Sequence, residues 1–161
     1  MATEASVAPV RAKDVAPRVL ASIYPEEFAK RFNGRVKRQL GNVFGLSNFG
    51  VNLTTLEPGA ISALRHAHSK QDEFVYILEG EATLTTNAGT KMLSSGMCVG
   101  FRAGTGDAHQ LSNTGVSTLV YLEVGDRTPG DSAFYPDDDI RAILNAQGVW
   151  EFEHKDGRKY R

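Results

Sequence analysis

Between Arg35 and Val124 the chain is a succession of short runs rich in Val, Leu, Thr, Phe and Tyr, and glycines punctuate these runs throughout. No helical periodicity separates one run from the next, so a parallel sheet with crossover helices is not expected. Many short strands with turn residues between them are typical of a β-sandwich or β-barrel. The sequence therefore predicts an all-β barrel over residues 35–125, with hairpin turns at residues 86–89 and 112–115.

The segment before the barrel, residues 1–34, is predicted to be an arm without periodicity that leads into a short helix. Pro25 suits the first position of that helix. Glu26 and Glu27 then place negative charge in its first turn, where the helix dipole favours it. Gly34 marks the end of the helix, which we expect to cover the barrel as a lid or plug.

The segment after the barrel, residues 126–161, is predicted to be a C-terminal extension packed on the same domain. A turn-rich connector leads to the acidic residues 137–139, which suit the start of a helix that ends near Asn145. Residues 149–154 alternate apolar and polar side chains, which predicts a terminal strand.

The composition narrows the class of protein. The 161 residues suit one domain with a real core, and their net charge is −1. This charge provides no basic field for a phosphate backbone, so we expect no nucleic-acid partner. No apolar run has the length of a signal-peptide core or a membrane span. We therefore expect a cytoplasmic location and no membrane partner.

The chain has a single cysteine, Cys98. One cysteine excludes an intrachain disulfide and a cysteine-based zinc cluster. Because Cys98 lies in an apolar run with Val99 and Phe101, we expect its thiol to be buried and unreactive. A metal ion would have to be held by His, Asp or Glu.

Two of the four histidines, His66 and His68, are separated by one residue. On a strand, side chains alternate, so both rings would project from one face about 6 to 7 Å apart and could share a metal ion. Glu73 follows after a short polar stretch and opens an apolar strand with Val75 and Ile77 on its own face. A carboxylate on an apolar face is costly unless it is paired or metal-bound.

A third histidine, His109, lies at the end of a glycine-rich loop about three strands downstream. In a barrel it is close enough to complete a set with His66, His68 and Glu73. Three imidazoles and one carboxylate suit one divalent ion of zinc, manganese, iron or nickel, and they leave positions open for a substrate or water.

Each of these side chains also has a purely structural interpretation. The two neighbouring histidines could be solvated on an edge strand, and His109 could stabilise its turn as a hydrogen-bond donor. Glu73 could face solvent on its strand, and Gln71 or Asp72 could then take its place as a ligand. The metal interpretation is favoured because the residues fall where a closed site needs them.

These residues resemble the cupin superfamily. The first cupin motif, with its glycine, His-x-His pair, glutamate and closing glycine, is similar to the pattern from Gly59 to Gly80. The second motif is similar to residues 96–113, which close on Asn113. The resemblance covers residues 53–124 and implies a double-stranded β-helix, the jelly-roll barrel of the family. It also implies the metal ligands His66, His68, Glu73 and His109.

The activity is left open by this resemblance, because cupins include isomerases, dioxygenases, decarboxylases, sugar-binding regulators and storage proteins. Similarity to small bacterial cupins described as sugar-phosphate isomerases implies a metal-dependent enzyme for a small polar metabolite. The alternatives are an iron-dependent dioxygenase and a non-catalytic protein that binds metal or sugar. No general base for an isomerase is assigned from the sequence.

Two further expectations concern partners. Arg102 and Lys91 are candidates for contact with an anionic substrate at the barrel mouth, although solvated positions suit both side chains as well. A homodimer is expected from the family resemblance and because an exposed barrel edge invites pairing with the arm of a second chain.

Overall fold

The computed structural model describes residues 8–19 and 22–160, so the first seven residues of the predicted arm lie outside the described residues. The strands are β1 Arg35–Gln39, β2 Phe49–Leu56, β3 Ala67–His68, β4 Glu73–Glu79, β5 Glu81–Thr86, β6 Gly89–Ser94, β7 Cys98–Phe101, β8 Gln110–Ser112, β9 Leu119–Asp126, β10 Ser132–Phe134, β11 Arg141–Leu144 and β12 Trp150–Glu153. The helices are α1 Glu26–Ala29 and α2 Leu40–Val43, with 3-10 turns at Ala12–Asp14 and Lys30–Phe32. None of these described helices is long and apolar enough to cross a membrane. The cytoplasmic location stays a prediction.

In the described part of the chain the strands form three antiparallel sheets, which confirms the predicted all-β jelly-roll barrel. The largest sheet has the order β1-β2-β9-β4-β7, and the others are β12-β11-β10-β3 and β6-β5-β8. Side chains from the largest sheet and from the three-stranded sheet bury one another in the main core. This core includes Leu56, Ile77, Leu84, Leu111 and Tyr121.

A second core joins the N-terminal helix to the C-terminal extension. The predicted helix at residues 24–34 is present as α1 and the 3-10 turn that follows it. Its side chains Phe28 and Phe32 pack in one cluster with Ile140 of the extension. In the four-stranded sheet, β10 of the extension pairs with β3, and this pairing places Ala133 opposite His68. The extension therefore supports a strand that carries one of the predicted ligands.

The predicted C-terminal helix is wrong, because Arg141–Leu144 forms strand β11 and pairs with β12. Burial alternates along this stretch, with Ile140 and Ala142 buried and Ile143 exposed. A period of two suits a strand against a core, and a helix would have buried a different set of residues. The acidic residues 137–139 lie in bends instead of starting a helix.

The turns divide into one confirmed hairpin and one connection between sheets. Residues 86–89 join β5 to its partner β6 as predicted, and the predicted strand at residues 149–154 is present as β12. The turn at residues 112–115 is not a hairpin, since β8 pairs with β5 whereas β9 pairs with β2 and β4. The buried Asn113 stabilises this crossing by donating from Nδ2 to the carbonyl oxygen of Leu56 at 2.8 Å.

The outer face of the largest sheet is apolar along β4. Phe74, Tyr76 and Leu78 are exposed there, while Val75 and Ile77 between them point into the core. Cys98 on β7 lies opposite Tyr76 and is exposed, so the prediction of a buried thiol is wrong. Its position in the strand alternation sets its face, whatever the polarity of its neighbours. The expected homodimer stays a prediction.

Candidate metal centre

Backbone pairing brings the four predicted ligand residues together inside the barrel. His66 and His109 form a bridge, with the His66 N–H donating to the His109 carbonyl at 3.1 Å and the His109 N–H donating back at 2.8 Å. His68 follows on β3, and its side chain projects from the same face as that of His66. Glu73 is the first residue of β4 in the neighbouring sheet.

Glu73 lies at the centre of this cluster. Its Oε2 atom is 2.9 Å from Nε2 of His109, and the Nε2 atoms of His66 and His68 are 3.5 and 3.7 Å from the same oxygen. The oxygen is buried and makes no hydrogen bond of good geometry within the described residues. Burying a carboxylate oxygen is costly unless something binds it. Three imidazole nitrogens converging on one carboxylate fit a divalent ion.

The ligand atoms of the His66, His68 and Glu73 set all lie within 4.8 Å of one another, which is close enough for them to hold one ion. The rings are oriented by contacts at their other nitrogens. His66 Nδ1 lies 2.7 Å from the carbonyl oxygen of Leu64, and His68 Nδ1 lies 2.5 Å from Oδ2 of Asp131. Both acceptors favour a proton on Nδ1, which leaves Nε2 as the free donor atom.

Asp131 was missed in the sequence because it lies in the turn-rich connector, with no motif around it. It is fully buried, and its Oδ1 accepts hydrogen bonds from Ser69 Oγ at 2.8 Å and from the Lys70 N–H at 2.7 Å. Burial acts to raise the pKa of Asp131, but the bonds from His68 and Lys70 outweigh it and lower that pKa to about 2. Asp131 therefore stays ionised beside the His68 ring.

Replacing Asp131 with Asn is expected to lower metal affinity about 10–100-fold, the usual effect of removing the group that orients a ligating histidine. An amide group that donates to His68 Nδ1 would move the ring proton to Nε2 and block the metal-binding atom. Competition with a chromogenic chelator measures the affinity. Asp156→Asn, at an exposed turn, is the matched control. Equal affinity in Asp131→Asn and wild type would rule out the orienting role.

The electrostatics suit a ligand set. Burial acts to raise the pKa of Glu73, but contacts with His109 and His66 outweigh it and hold that pKa well below the usual range. Burial lowers the pKa of His109, more than the contact with Glu73 raises it. The ionised Glu73 carboxylate beside the neutral His109 imidazole is the protonation state that binds a metal ion. At His68, burial acts to lower the pKa, but the hydrogen bond to Asp131 and the charge of Glu73 outweigh it and raise that pKa, so a metal ion would have to displace a proton there.

The cluster opens into a cavity of about 300 Å³. Aromatic rings cover part of its wall, and three of them contact the histidines. Phe101 stacks on His109 with ring centroids 3.5 Å apart, and Tyr135 stacks on His66 at 5.7 Å. The third contact is that of Trp150 with His68 at 5.7 Å. These rings pack against the imidazoles and restrict their orientation.

Charged side chains elsewhere in the lining were missed in the sequence. They are Arg18, Arg35, Lys37, Glu123, Asp126 and Arg127. Arg35 and Lys37 are two positions apart on one strand, and this spacing could have indicated that both side chains lie on the same face. Arg102 and Lys91, the residues predicted as candidates for contact with an anionic substrate, are both exposed, and neither lines this cavity.

The fold and the cluster together define a jelly-roll barrel whose interior carries histidines and a carboxylate. Residues 52–125 match a family model described as a cupin domain. The chain is 38% identical to a solved structure from Silicibacter pomeroyi, described as a sugar phosphate isomerase from a cupin superfamily. The similarity covers 96% of this chain and 97% of that one, with a TM-score of 0.88. The chain belongs to the cupin superfamily, as the sequence motifs predicted.

Other solved structures are also similar. A candidate sugar phosphate isomerase from Acidithiobacillus ferrooxidans is 31% identical over 85% of this chain and 94% of that one, with a TM-score of 0.70. A polyketide cyclase from Streptomyces resistomycificus is 19% identical over 74% of this chain and 79% of that one, with a TM-score of 0.61. The likeness to the cyclase shows the fold alone. No curated protein matches the sequence significantly.

Proposed function

We propose that this protein is a metal-dependent isomerase of a small sugar phosphate. In this proposal one ion of zinc, manganese, iron or nickel is held by His66, His68, Glu73 and His109. The convergence of three imidazole Nε2 atoms on the buried Glu73 oxygen, at 2.9 to 3.7 Å, carries the proposal. The names of the two solved relatives above 30% identity support the substrate class and the reaction.

A divalent ion in this site would supply a Lewis acid for an oxygen of the substrate. The protein's own groups provide the positioning. The Leu64 carbonyl and Asp131 hold two of the imidazole rings with Nε2 turned toward Glu73. The rings of Phe101, Tyr135 and Trp150 give the cavity an apolar side, and polar contacts beside such a surface are stronger than in water.

An isomerase must also move a proton between neighbouring carbons, and we assign this step to Glu123. Val75 pairs with Glu123 across β4 and β9, whereas Glu73 pairs with Gly125, so the two glutamates are diagonal neighbours. Diagonal neighbours on one face are about 7–8 Å apart, which leaves room for a substrate between them. Asn52 Nδ2 donates to Glu123 Oε1 at 3.0 Å and orients the carboxylate.

In this step a Glu123 oxygen takes a proton from the carbon next to the substrate carbonyl and returns it to the neighbouring carbon. The electron pair of the broken C–H bond forms a carbon–carbon double bond, and the carbonyl oxygen gains a proton. The neighbouring hydroxyl loses its proton as the new carbonyl forms, so the reaction needs no oxidant or reductant. Glu73 is unsuited to this role because it is a ligand in the proposed site.

The test is proton NMR of aldose and ketose phosphates with three to six carbons, each incubated in D₂O with protein loaded with one of the four metals. We expect at least one of these phosphates to interconvert with its isomer and to gain deuterium at the carbon next to the carbonyl. Failure of every phosphate with every metal would contradict the proposed function.

The three-histidine and one-glutamate set also suits ferrous iron, which favours a dioxygenase as the second candidate. Oxygen consumption that depends on ferrous iron and on a chelating substrate would support this candidate. Saturable binding of a sugar or acid without turnover would instead support a non-catalytic binding protein.

A further inference from the structure

We propose that Arg18, Arg35 and Lys37 form a binding subsite for the phosphate group of a phosphate monoester, on the β1 wall of the cavity that holds the histidine cluster. This inference rests on the proposed function, since it assigns the part of the substrate that does not react. Its residues belong to the arm and to the first strand, outside the region that matches the cupin domain model.

The alternation of β1 directs two of the cations into the cavity. Arg35 and Lys37 share one face of the strand and line the cavity. Arg38, the residue after Lys37, lies on the opposite face. The arm adds the third cation beside them. The Arg18 N–H donates to the Lys37 carbonyl at 2.9 Å, which fixes Arg18 against the same strand.

The cations are held in place by other groups of the protein. The Arg35 guanidinium donates from Nη1 to the Ser62 carbonyl, and it lies 4.4 Å from the centroid of the Phe32 ring. Lys37 forms an ion pair with Glu123 and is only 20% exposed at its side chain. Positively charged groups that are held in advance lose little entropy when an anion binds.

The charges at this wall match a phosphate monoester. Among the described lining residues outside the histidine and Glu73 cluster, the cations are Arg18, Arg35, Lys37 and Arg127, and the carboxylates are Glu123 and Asp126, which leaves an excess of two positive charges. A phosphate monoester carries about −1.5 to −2 charges at neutral pH. A carboxylate substrate carries one charge and would leave the excess half neutralised.

Repulsion between the cations of the cavity also favours the binding of an anion. Burial and the charge of Arg35 both lower the pKa of Arg18, and burial lowers the pKa of Arg35. Placing like charges together in a partly buried cavity costs free energy, which a bound anion would offset. Arg127 also lines the cavity, but it donates to the Leu46 carbonyl at 2.7 Å and to Asn42 Oδ1 at 2.8 Å, so it supports the loop instead.

Calorimetric titration of metal-loaded protein with inorganic phosphate tests the subsite. Lys37→Met and Arg18→Met are each expected to weaken phosphate binding about tenfold or more, the usual effect of losing one charged hydrogen-bond donor. The matched control is Arg38→Met, which removes a cation from the opposite face of β1 and is expected to bind phosphate as wild type does. If Lys37→Met and Arg18→Met bind phosphate as tightly as Arg38→Met and wild type do, the subsite is overturned.

Glu123→Gln supplies a second measurement with the opposite sign. Because it removes the carboxylate that pairs with Lys37, we expect phosphate to bind more tightly than in wild type. Weaker binding in Glu123→Gln, with metal content and thermal unfolding unchanged, would overturn the charge argument. The metal content of every variant identifies changes that act through the ion instead of the subsite.

The failure of the subsite and the failure of the proposed function are distinguishable. Phosphate binding that depends on Lys37, in a protein that isomerises no sugar phosphate, would keep the subsite and remove the isomerase. Isomerase activity on a sugar phosphate with an unchanged KM in Lys37→Met and Arg18→Met would keep the function and overturn the subsite.

Discussion

A His66→Ala, His68→Ala double variant is expected to lose nearly all bound metal, whereas wild-type protein purified without affinity tags or chelators should retain close to one ion per chain. The variant removes two of the four donor atoms around the cluster, and the remaining pair, Glu73 and His109, cannot close a site. Elemental mass spectrometry of the purified proteins measures both the amount and the identity of the metal.

The fourth histidine supplies the control for this experiment. His154 lies in the C-terminal turn, where its Nδ1 is 2.9 Å from Oδ2 of Asp139, and it does not line the cavity. His154→Ala should therefore retain the metal. No ion in wild-type protein, even after incubation with excess zinc, manganese, iron and nickel, would contradict the metal site and leave a barrel that binds its ligand by hydrogen bonds.

Glu123→Gln is expected to lower the rate of isomerisation and of deuterium incorporation by about 10²–10⁴-fold, the usual contribution of a general base. The amide keeps the shape of the side chain but cannot accept the substrate proton at neutral pH. Because the substrate still reaches the ion, kcat should fall much more than KM changes. The assay is the NMR experiment in D₂O, with the metal content of each sample checked.

A matched Glu→Gln change is available on another strand. Glu81 is exposed on β5 and does not line the cavity, so Glu81→Gln should keep the wild-type rate. If Glu123→Gln keeps most of the wild-type rate while retaining its metal, the proton transfer belongs to another group and the assignment of Glu123 is wrong.

The pair His66 and His68 shows how far local sequence pattern reaches. Strand geometry alone predicted that both rings share a face, and the structure places their centroids 5.0 Å apart. Glu73 was predicted from the cost of a carboxylate on an apolar face, and His109 from its position about three strands downstream in a barrel. All four side chains lie in one cluster, while their role as metal ligands stays a proposal.

Residues 137–145 show where local pattern misled. Acidic residues before an apolar stretch favour a helix start, but the same stretch pairs with β12 and buries Ile140 and Ala142 in the second core. Burial against distant strands outweighed a local preference that contributes only a few tenths of a kcal/mol to about 1 kcal/mol per site. Cys98 is a similar case, since its face depends on the register of β7 with β4.

The sequence by itself determined the β-class of the fold, the superfamily and the four side chains of the candidate metal centre, because strand alternation and motif spacing can both be read along the chain. Only the tertiary structure decided which distant groups surround them. Asp131 reaches His68 from 63 positions away, and Lys37 meets Glu123 across strands that are not consecutive. Such contacts depend on the order in which strands pair to bury both cores, and no short stretch of sequence specifies that order.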